Sequence, residues 1–340
     1  MEKEGRIIKL IGGLYTVIDG EKNKYVLKPL GIFRHKNIQP KVGDFVIFNE
    51  DSIIDIKERF NDLYRPMIAN VDQVLLINSA KKPDFSFLLL DMFLTLIESN
   101  GIKPIIIITK IDLLEKGELE TLKAKINYYE KFYSVIYFSA KTEIGKDEIL
   151  KITKDKVNVL SGQTGAGKSS LLNVINPDLH IETNEISEAL GRGKHTTRHV
   201  ELIVFGDGYI ADTPGFSKLE FIDYQADQIK YYFPDFFKLS SKCKFHECTH
   251  IHEPGCAVIE AVNSNEILKE RYDDYRIIYN EIKSKKRVYR RDLKWFVHHH
   301  SWVQILIYWK RKYFRLVKLD GFILMLWMEN LLRTKPMITN

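Results

Sequence analysis

Residues Lys156–Ile175 read KVNVLSGQTGAGKSSLLNVI. Val157, Asn158, Val159 and Leu160 open the stretch as a short, largely apolar run suited to a buried parallel strand. Ser169 to Ile175 close it as the start of a helix. Between them Gly162, Gln163, Thr164, Gly165, Ala166, Gly167, Lys168 and Ser169 match the spacing G-x-x-x-x-G-K-[ST]. Glycines let a backbone wrap a phosphate with its N–H groups, and a helix N-terminus adds donors and a favourable dipole. Lys168 is placed to reach the β- and γ-phosphates and Ser169 to ligate magnesium, with Ser170 beside them. Chance alone seldom sets such a loop between a strand and a helix. An α/β fold that binds a nucleoside triphosphate is therefore expected.

At 340 residues the chain has room for about two or three domains. Hydrophobic residues make up 45%, enough for a substantial core, and the formal charge of +6 permits a polyanionic partner. Met1 to Arg6 is charged and no apolar stretch of the signal-peptide kind follows. No run reaches the roughly 20 apolar residues of a membrane span, so no membrane partner is expected. The three cysteines cluster within residues 243–256, which favours metal binding in a reducing cytoplasm over a disulfide framework.

Residues 1–66 read as short strands: Arg6 to Leu10, a Gly12-Gly13 turn, Leu14 to Ile18, Asp19-Gly20, Tyr25 to Leu27, and Phe45 to Phe48 after Lys41-Val42-Gly43-Asp44. Their close spacing predicts a small β-barrel of the OB-fold type. Arg34, His35 and Lys36 are either RNA contacts or ordinary solvated charges. Arg65-Pro66 is expected to be a hinge, after which strands and helices alternate. Strands are expected at Val71 to Asn78, Ile105 to Ile108 and Val135 to Phe138. Helices are expected at Phe85 to Ser99, Leu114 to Lys131 and Ile144 to Thr153.

Two of these strands run into polar motifs. Ile108 leads into Thr109-Lys110-Ile111-Asp112, and Phe138 into Ser139-Ala140-Lys141. Loops at the carboxyl ends of parallel strands are where such folds bind ligands. An aspartate there can accept from both N1–H and the 2-amino group of guanine, which adenine lacks. The Ala140 backbone N–H can donate to O6. Taken singly, Lys110 and Asp112 also fit a surface ion pair. Together the motifs resemble the N-K-x-D and S-A-K sequences of Ras-like GTPases, with Thr109 in place of the usual asparagine. They precede the phosphate loop rather than following it, as in the circularly permuted GTPases. Sheet packing survives permutation because chain termini sit at the surface.

Gly191-Arg192-Gly193-Lys194-His195-Thr196-Thr197-Arg198 is polar and Gly-rich, as a switch segment should be. Strands are expected at Val200 to Phe205 and Tyr209 to Ala211. Asp212-Thr213-Pro214-Gly215-Phe216 then resembles D-x-x-G. The resemblance implies that Asp212 holds magnesium through water and that the Gly215 N–H senses the γ-phosphate. Thr197, rather than Thr196, is expected to complete the magnesium shell. Phe216 occupies the place of the glutamine that orients the attacking water in Ras-type enzymes, and a phenyl ring cannot do that. His195 is the candidate for that catalytic role; its other reading is an exposed loop histidine.

Cys243-x4-Cys248-x-His250-x5-Cys256 supplies three thiolates and an imidazole, the set of a closed structural zinc site. His246 and His252 are read as surface or supporting residues. Arg271 to Lys294 is expected to be helical, with a basic face at Lys283, Lys285, Lys286, Arg287, Arg290, Arg291 and Lys294 that suits RNA phosphates. Beyond it, Trp302 to Trp309 and Phe322 to Met328 are apolar runs without a functional account.

The whole layout over residues 1–294 resembles the ribosome-small-subunit-dependent GTPases, the RsgA/YjeQ family. The resemblance implies an OB-fold barrel (1–66), a circularly permuted GTPase core (67–222), a mainly helical, basic, zinc-binding domain (223–294), and a tail (295–340) that departs from the pattern. It implies a monomeric cytoplasmic GTPase that binds the small ribosomal subunit and its ribosomal RNA late in maturation. GTP is then the substrate, with Mg2+ and one structural Zn2+, and subunit-stimulated hydrolysis accompanies release. Two other readings remain open from the residues: an RNA-binding module switched by nucleotide with negligible turnover, and a generic P-loop ATPase.

Overall fold

The computed structural model describes residues 2–31, 33, 38–63, 67–177, 201–212, 221 and 224–284. Its first part is a barrel of β1 (Lys3–Ile11), β2 (Leu14–Asp19), β3 (Lys24–Pro29), β4 (Phe45–Phe48) and β5 (Ser52–Ile56). β1 pairs with β2, β2 with β3, β3 in parallel with β5, β5 with β4, and β4 with β1, so the circuit closes. Alternate residues point inward, and Ile7, Val17, Leu27, Val46, Phe48 and Ile53 fill the interior. Closure removes the free strand edges that an open five-stranded sheet would expose. β5 was not among the expected strands; it is short and follows directly on the polar turn Asn49-Glu50-Asp51, whose Asn49 side chain accepts from the Asp51 and Ser52 amides.

The expected hinge at Arg65-Pro66 lies outside the described residues. On either side the chain is tied down: the Leu63 amide donates to the Ile68 carbonyl at 2.9 Å, and Asp62 bridges Ala69. Arg59 fastens the same segment to the barrel, donating at 2.7 Å to both oxygens of buried Asp44 and to Asp62.

The second part is a sheet of β6 (Gln73–Ser79), β7 (Lys103–Thr109), β8 (Ser134–Tyr137), β9 (Val157–Ser161), β10 (Glu201–Phe205) and β11 (Gly208–Asp212), in the order β10-β11-β9-β6-β7-β8. Only β10 runs antiparallel to its core neighbour. β6 and β9 are buried along their whole length, as expected for apolar runs covered on both faces. Val74, Leu76, Ile106, Ile108 and Val159 face α1 (Phe87–Ser99) and α2 (Lys116–Glu130). Leu75, Ile77, Ile105, Ile107 and Leu160 face α3 (Lys146–Thr153) and α4 (Lys168–Ile175). The period of two along each strand thus builds two cores.

β9 lies between β11, which follows it in sequence, and β6, which ends at Ser79, well before β9 begins at Val157. That is the permuted order expected from the motifs: the strands that lead into the two polar motifs are laid down before β9. One contact was not expected. β10 also pairs with β1 of the barrel at Lys9 and Glu201, whose side chains form an ion pair at 2.8 Å. Barrel and core are therefore one hydrogen-bonded sheet.

The third part is helical: a 3-10 helix (Ala226–Tyr232), α5 (Pro234–Ser240), α6 (Ala257–Asn263) and α7 (Lys269–Ser284). Ile229, Phe233, Phe236, Val258, Tyr275 and Ile278 form its core, and Leu88 and Met92 of α1 pack against it. No helix among the described residues is long and apolar enough to cross a membrane.

Candidate functional site

The phosphate-loop sequence leaves β9 through Gly162, at φ +125°. A Cβ there would come within 2.0 Å of the Ile77 carbonyl on neighbouring β6, so only glycine fits. Gly165 and Gly167 also take positive φ, and Ala166 between them is fully buried. Lys168 curls back over the loop and donates to the carbonyls of Gly162 at 2.6 Å and Gln163 at 2.7 Å. Burial lowers its pKa to about 8, because an ammonium held by carbonyl dipoles lacks a full counter-charge. An anion in the loop would supply one. Ser169, at the start of α4, is buried beside it.

The two polar motifs converge on this loop. The Thr109 hydroxyl is 2.5 Å from the Ala166 carbonyl oxygen, and the Lys110 ammonium donates to the Gly165 carbonyl at 2.7 Å and to that of Lys82. Lys110 adopts φ +56°, which turns the chain sharply at the end of β7. Two residues on, Asp112 is exposed, and Ser139 just past the end of β8 donates to its Oδ1 at 2.7 Å. The Thr142 amide in turn donates to the Ser139 hydroxyl at 3.2 Å, which fixes the direction of that proton. Ala140 is half-buried, while Lys141 and Thr164 are exposed in the same loops. The result is an oriented carboxylate and a glycine-wrapped phosphate cradle, tied together by Thr109 and Lys110.

Asp212 ends β11, whose Ala211 is in register with Val159 of β9, so its backbone stands beside the phosphate-loop strand. His195, Thr197, Gly215 and Phe216 lie outside the described residues. So do Arg34, Lys36, Lys285, Lys286, Arg287, Arg290 and Arg291.

In the helical part, one ligand atom from each of Cys243, Cys248, His250 and Cys256 falls within 4.8 Å of the others. His250 Nδ1 is 3.3 Å from Cys256 Sγ and 3.7 Å from Cys243 Sγ. A tetrahedral zinc with bonds of about 2.0 Å to nitrogen and about 2.3 Å to sulfur would hold its ligand atoms roughly 3.5–3.8 Å apart. The tautomer is set from behind. The Ser240 hydroxyl donates to the Phe236 carbonyl at 2.9 Å, so at 3.1 Å it accepts from His250 Nε2–H, leaving the Nδ1 lone pair toward the sulfurs. Burial, with the Lys230 ammonium second, holds the His250 pKa down to about 4, and burial pushes the Cys248 thiol up to about 12. Such thiols ionise only if a cation faces them, and the donor set fits a structural metal ion. Glu253 braces the loop, accepting from the Thr249, Ile251 and His252 amides. His246 and His252 are exposed and outside the cluster.

A buried ionic cluster was not expected. Arg271 of α7 is 1% exposed. It donates to Asp235 of α5 at 2.7 and 3.1 Å, and to Asp91 of α1. The Tyr128 and Tyr129 hydroxyls of α2 donate to Asp235 at 2.7 Å and Asp91 at 3.0 Å. Asp274 faces Asp91, and its Oδ2 is buried without a hydrogen-bond partner. The signal was present in the sequence: Asp91 and Asp235 each interrupt an apolar run, LLLDMFL and FPDFF.

A family model described as RsgA GTPase matches residues 56–222, and one described as RsgA N-terminal domain matches residues 4–53. The small ribosomal subunit biogenesis GTPase RsgA of Halalkalibacterium halodurans is 49% identical over 290 residues, covering 84% of this chain and 98% of that protein. Its namesake in Bacillus subtilis is 48% identical over 296 residues, covering 84% and 99%. The crystal structure of YjeQ from Thermotoga maritima superposes with a TM-score of 0.75 at 34% identity, over 84% of this chain and all (100%) of that one. YloQ, a circularly permuted GTPase, superposes with a TM-score of 0.73 at 43% identity, over 84% and 96%. With its closed barrel, permuted phosphate-loop sheet and Cys/His cluster, the chain belongs to the RsgA family of GTPases.

Proposed function

We propose that this chain binds GTP and Mg2+, docks on the small ribosomal subunit late in its maturation, and hydrolyses GTP in a subunit-stimulated step coupled to release. The carrying observation is the Asp112 carboxylate, oriented by Ser139 and joined through Thr109 and Lys110 to the phosphate loop. It matches the paired donors of guanine, which disfavours a generic ATPase. The names of the relatives supply the subunit.

In this reading Lys168 exchanges its carbonyl partners for phosphate oxygens, and the loop amides from Gly162 to Ser170 hold the remaining charge. Ser169, Thr197 and Asp212 would hold magnesium, which when bound neutralises charge on the phosphates. The Gly215 N–H senses the γ-phosphate and His195 orients the attacking water, since Phe216 cannot. Zinc fills the Cys243, Cys248, His250, Cys256 cluster. Arg34, Lys36, Lys285, Lys286, Arg287, Arg290 and Arg291 meet ribosomal RNA. The protein acts as a cytoplasmic monomer, divided functionally near residues 66, 222 and 294.

The test is GTP turnover with and without purified small subunits, for the native chain and for His195→Ala. Strong stimulation that disappears in the variant, with nucleotide binding retained, is expected. Tight GTP-dependent subunit binding with no stimulated turnover would instead favour a nucleotide-switched RNA-binding module.

A further inference from the structure

Thr109 stands where Ras-type GTPases carry asparagine, and the two side chains differ in their supply of protons. An asparagine amide has two N–H donors; a threonine hydroxyl has one. The Thr109 side chain is buried, and its oxygen lies 2.5 Å from the Ala166 carbonyl and 3.2 Å from that of Asn78. Both neighbours are acceptors only. The single proton therefore goes to Ala166, in the middle of the phosphate loop. Gly167 flanks the same hydroxyl: a Cβ added there would stand 3.4 Å from the Thr109 oxygen, in ordinary contact. Lys110 directs two of its three N–H donors to the Gly165 and Lys82 carbonyls.

Guanine presents two donors at N1 and the 2-amino group, and two acceptors at O6 and N7. Asp112 complements the donors, and the backbone at Ala140 complements O6. N7 then needs a donor from the side chain at position 109, and the Thr109 hydroxyl has none left. We infer that this chain reads guanine only through N1, the 2-amino group and O6, leaving N7 to solvent, and that Thr109 is a positioning residue that holds the phosphate loop. The inference rests on GTP being the ligand, as proposed above.

Equilibrium competition on the full chain decides it, using GTP, ITP (which lacks the 2-amino group), ATP and 7-deaza-GTP (in which a C–H replaces N7). Native protein should bind 7-deaza-GTP within about twofold of GTP, and ITP about tenfold or more weaker, because the lost bond is to a carboxylate. Thr109→Asn should create a preference for GTP over 7-deaza-GTP of about fivefold, the worth of one neutral hydrogen bond. Thr109→Ser should keep native affinity. Thr109→Ala should weaken GTP and 7-deaza-GTP by the same factor, because only the loop has loosened. A fivefold or greater loss for 7-deaza-GTP on the native chain would overturn the inference, and needs no variant to fold. Equal binding of ATP and GTP would instead overturn the guanine assignment beneath it.

Discussion

Arg271→Ala should be the most destabilising single exchange in the helical part. Removing the guanidinium leaves Asp235, 4% exposed, without its counter-charge, and Asp91, 0% exposed, without its hydrogen-bond donor from α7. Breaking a buried pair of this kind costs about 3–5 kcal/mol, because the remaining charge stays desolvated. Two further losses push toward the upper end. The guanidinium lies over the rings of Phe233 and Tyr129, at 4.7 and 5.0 Å from their centroids, and its removal opens a cavity in a packed interface. The triple exchange Arg271→Met, Asp91→Asn, Asp235→Asn removes both signs of charge, fills the space, and leaves acceptors for Tyr128 and Tyr129. It should recover at least half of the loss. Hydrogen exchange of peptides from α1 and α7 measures this locally, which suits a chain of several parts better than one global transition.

The same cluster sets a pH dependence. Burial above all raises Asp91 to about 8 and Asp274 to about 6, and the two carboxyls face each other, so they titrate as a pair. Unfolded, both return to about 4. Between those values the folded chain holds protons that the unfolded chain has released. Its stability is therefore fully present below pH about 4, falls as pH rises toward about 8, and is level beyond. Asp274→Asn should flatten the fall by removing one buried carboxyl and the like charge beside Asp91. A loss below about 1 kcal/mol for Arg271→Ala, as at an exposed pair, would refute this account. So would protection of α1 and α7 that rises between pH 5 and 8.

Other measurements probe the two sites. Asp112→Asn should weaken GTP and favour xanthosine triphosphate, whose 2-oxo group suits an amide donor; unchanged preference in a competition assay would remove Asp112 from base recognition. GTP affinity should fall as pH rises above about 8, since a triphosphate raises the Lys168 pKa from its lowered value and binding then requires proton uptake; a flat profile to pH 9.5 in calorimetry would contradict this. Ser240→Ala should cost about 10–100-fold in metal affinity, and Cys248→Ser several kcal/mol of local stability, checked by chelator competition and metal content. Small subunits should bind more tightly with a non-hydrolysable GTP analogue than with GDP, and should tighten the analogue in return; equal affinities by cosedimentation would mean that nucleotide state is not transmitted.

The glycine-rich loop after β9 and the polar ends of β7 and β8 were legible as one cluster because each motif is local. Thr109 and Asp112 follow from a strand end that the apolar pattern marks, Lys168 opens the helix after the loop, and glycine is forced at Gly162 by the nearness of Ile77. The metal cluster was legible because its ligands are close in sequence. Arg271 was hidden for the opposite reason. It lies in a highly charged helix, and its partner Asp91 is 180 residues away. Only the carboxylates betrayed the cluster, each alone in an apolar run that would otherwise bury an uncompensated charge. The pairing of β1 with β10 was hidden too, since the Lys9–Glu201 contact that marks it joins two ordinary surface residues.

Permutation leaves the chemistry of the site intact because the site uses only strand ends, and β6, β7, β8 and β9 bring theirs together whatever the chain order. What it changes is which parts are attached to the triphosphate end of the sheet. β10, which follows the G-R-G-K-H-T-T-R segment, is paired with β1 of the barrel. β11 ends at Asp212, and the next described helices belong to the metal-binding part. Both accessory parts are thus joined to the two strands that bracket the expected γ-phosphate contacts. The Arg271 cluster adds a second attachment of the helical part, through α1 and α2, to the β6–β7–β8 side of the sheet. Moving α5 and α7 away from α1 would unpair the buried Arg271 from Asp91, and breaking a buried pair of this kind costs about 3–5 kcal/mol.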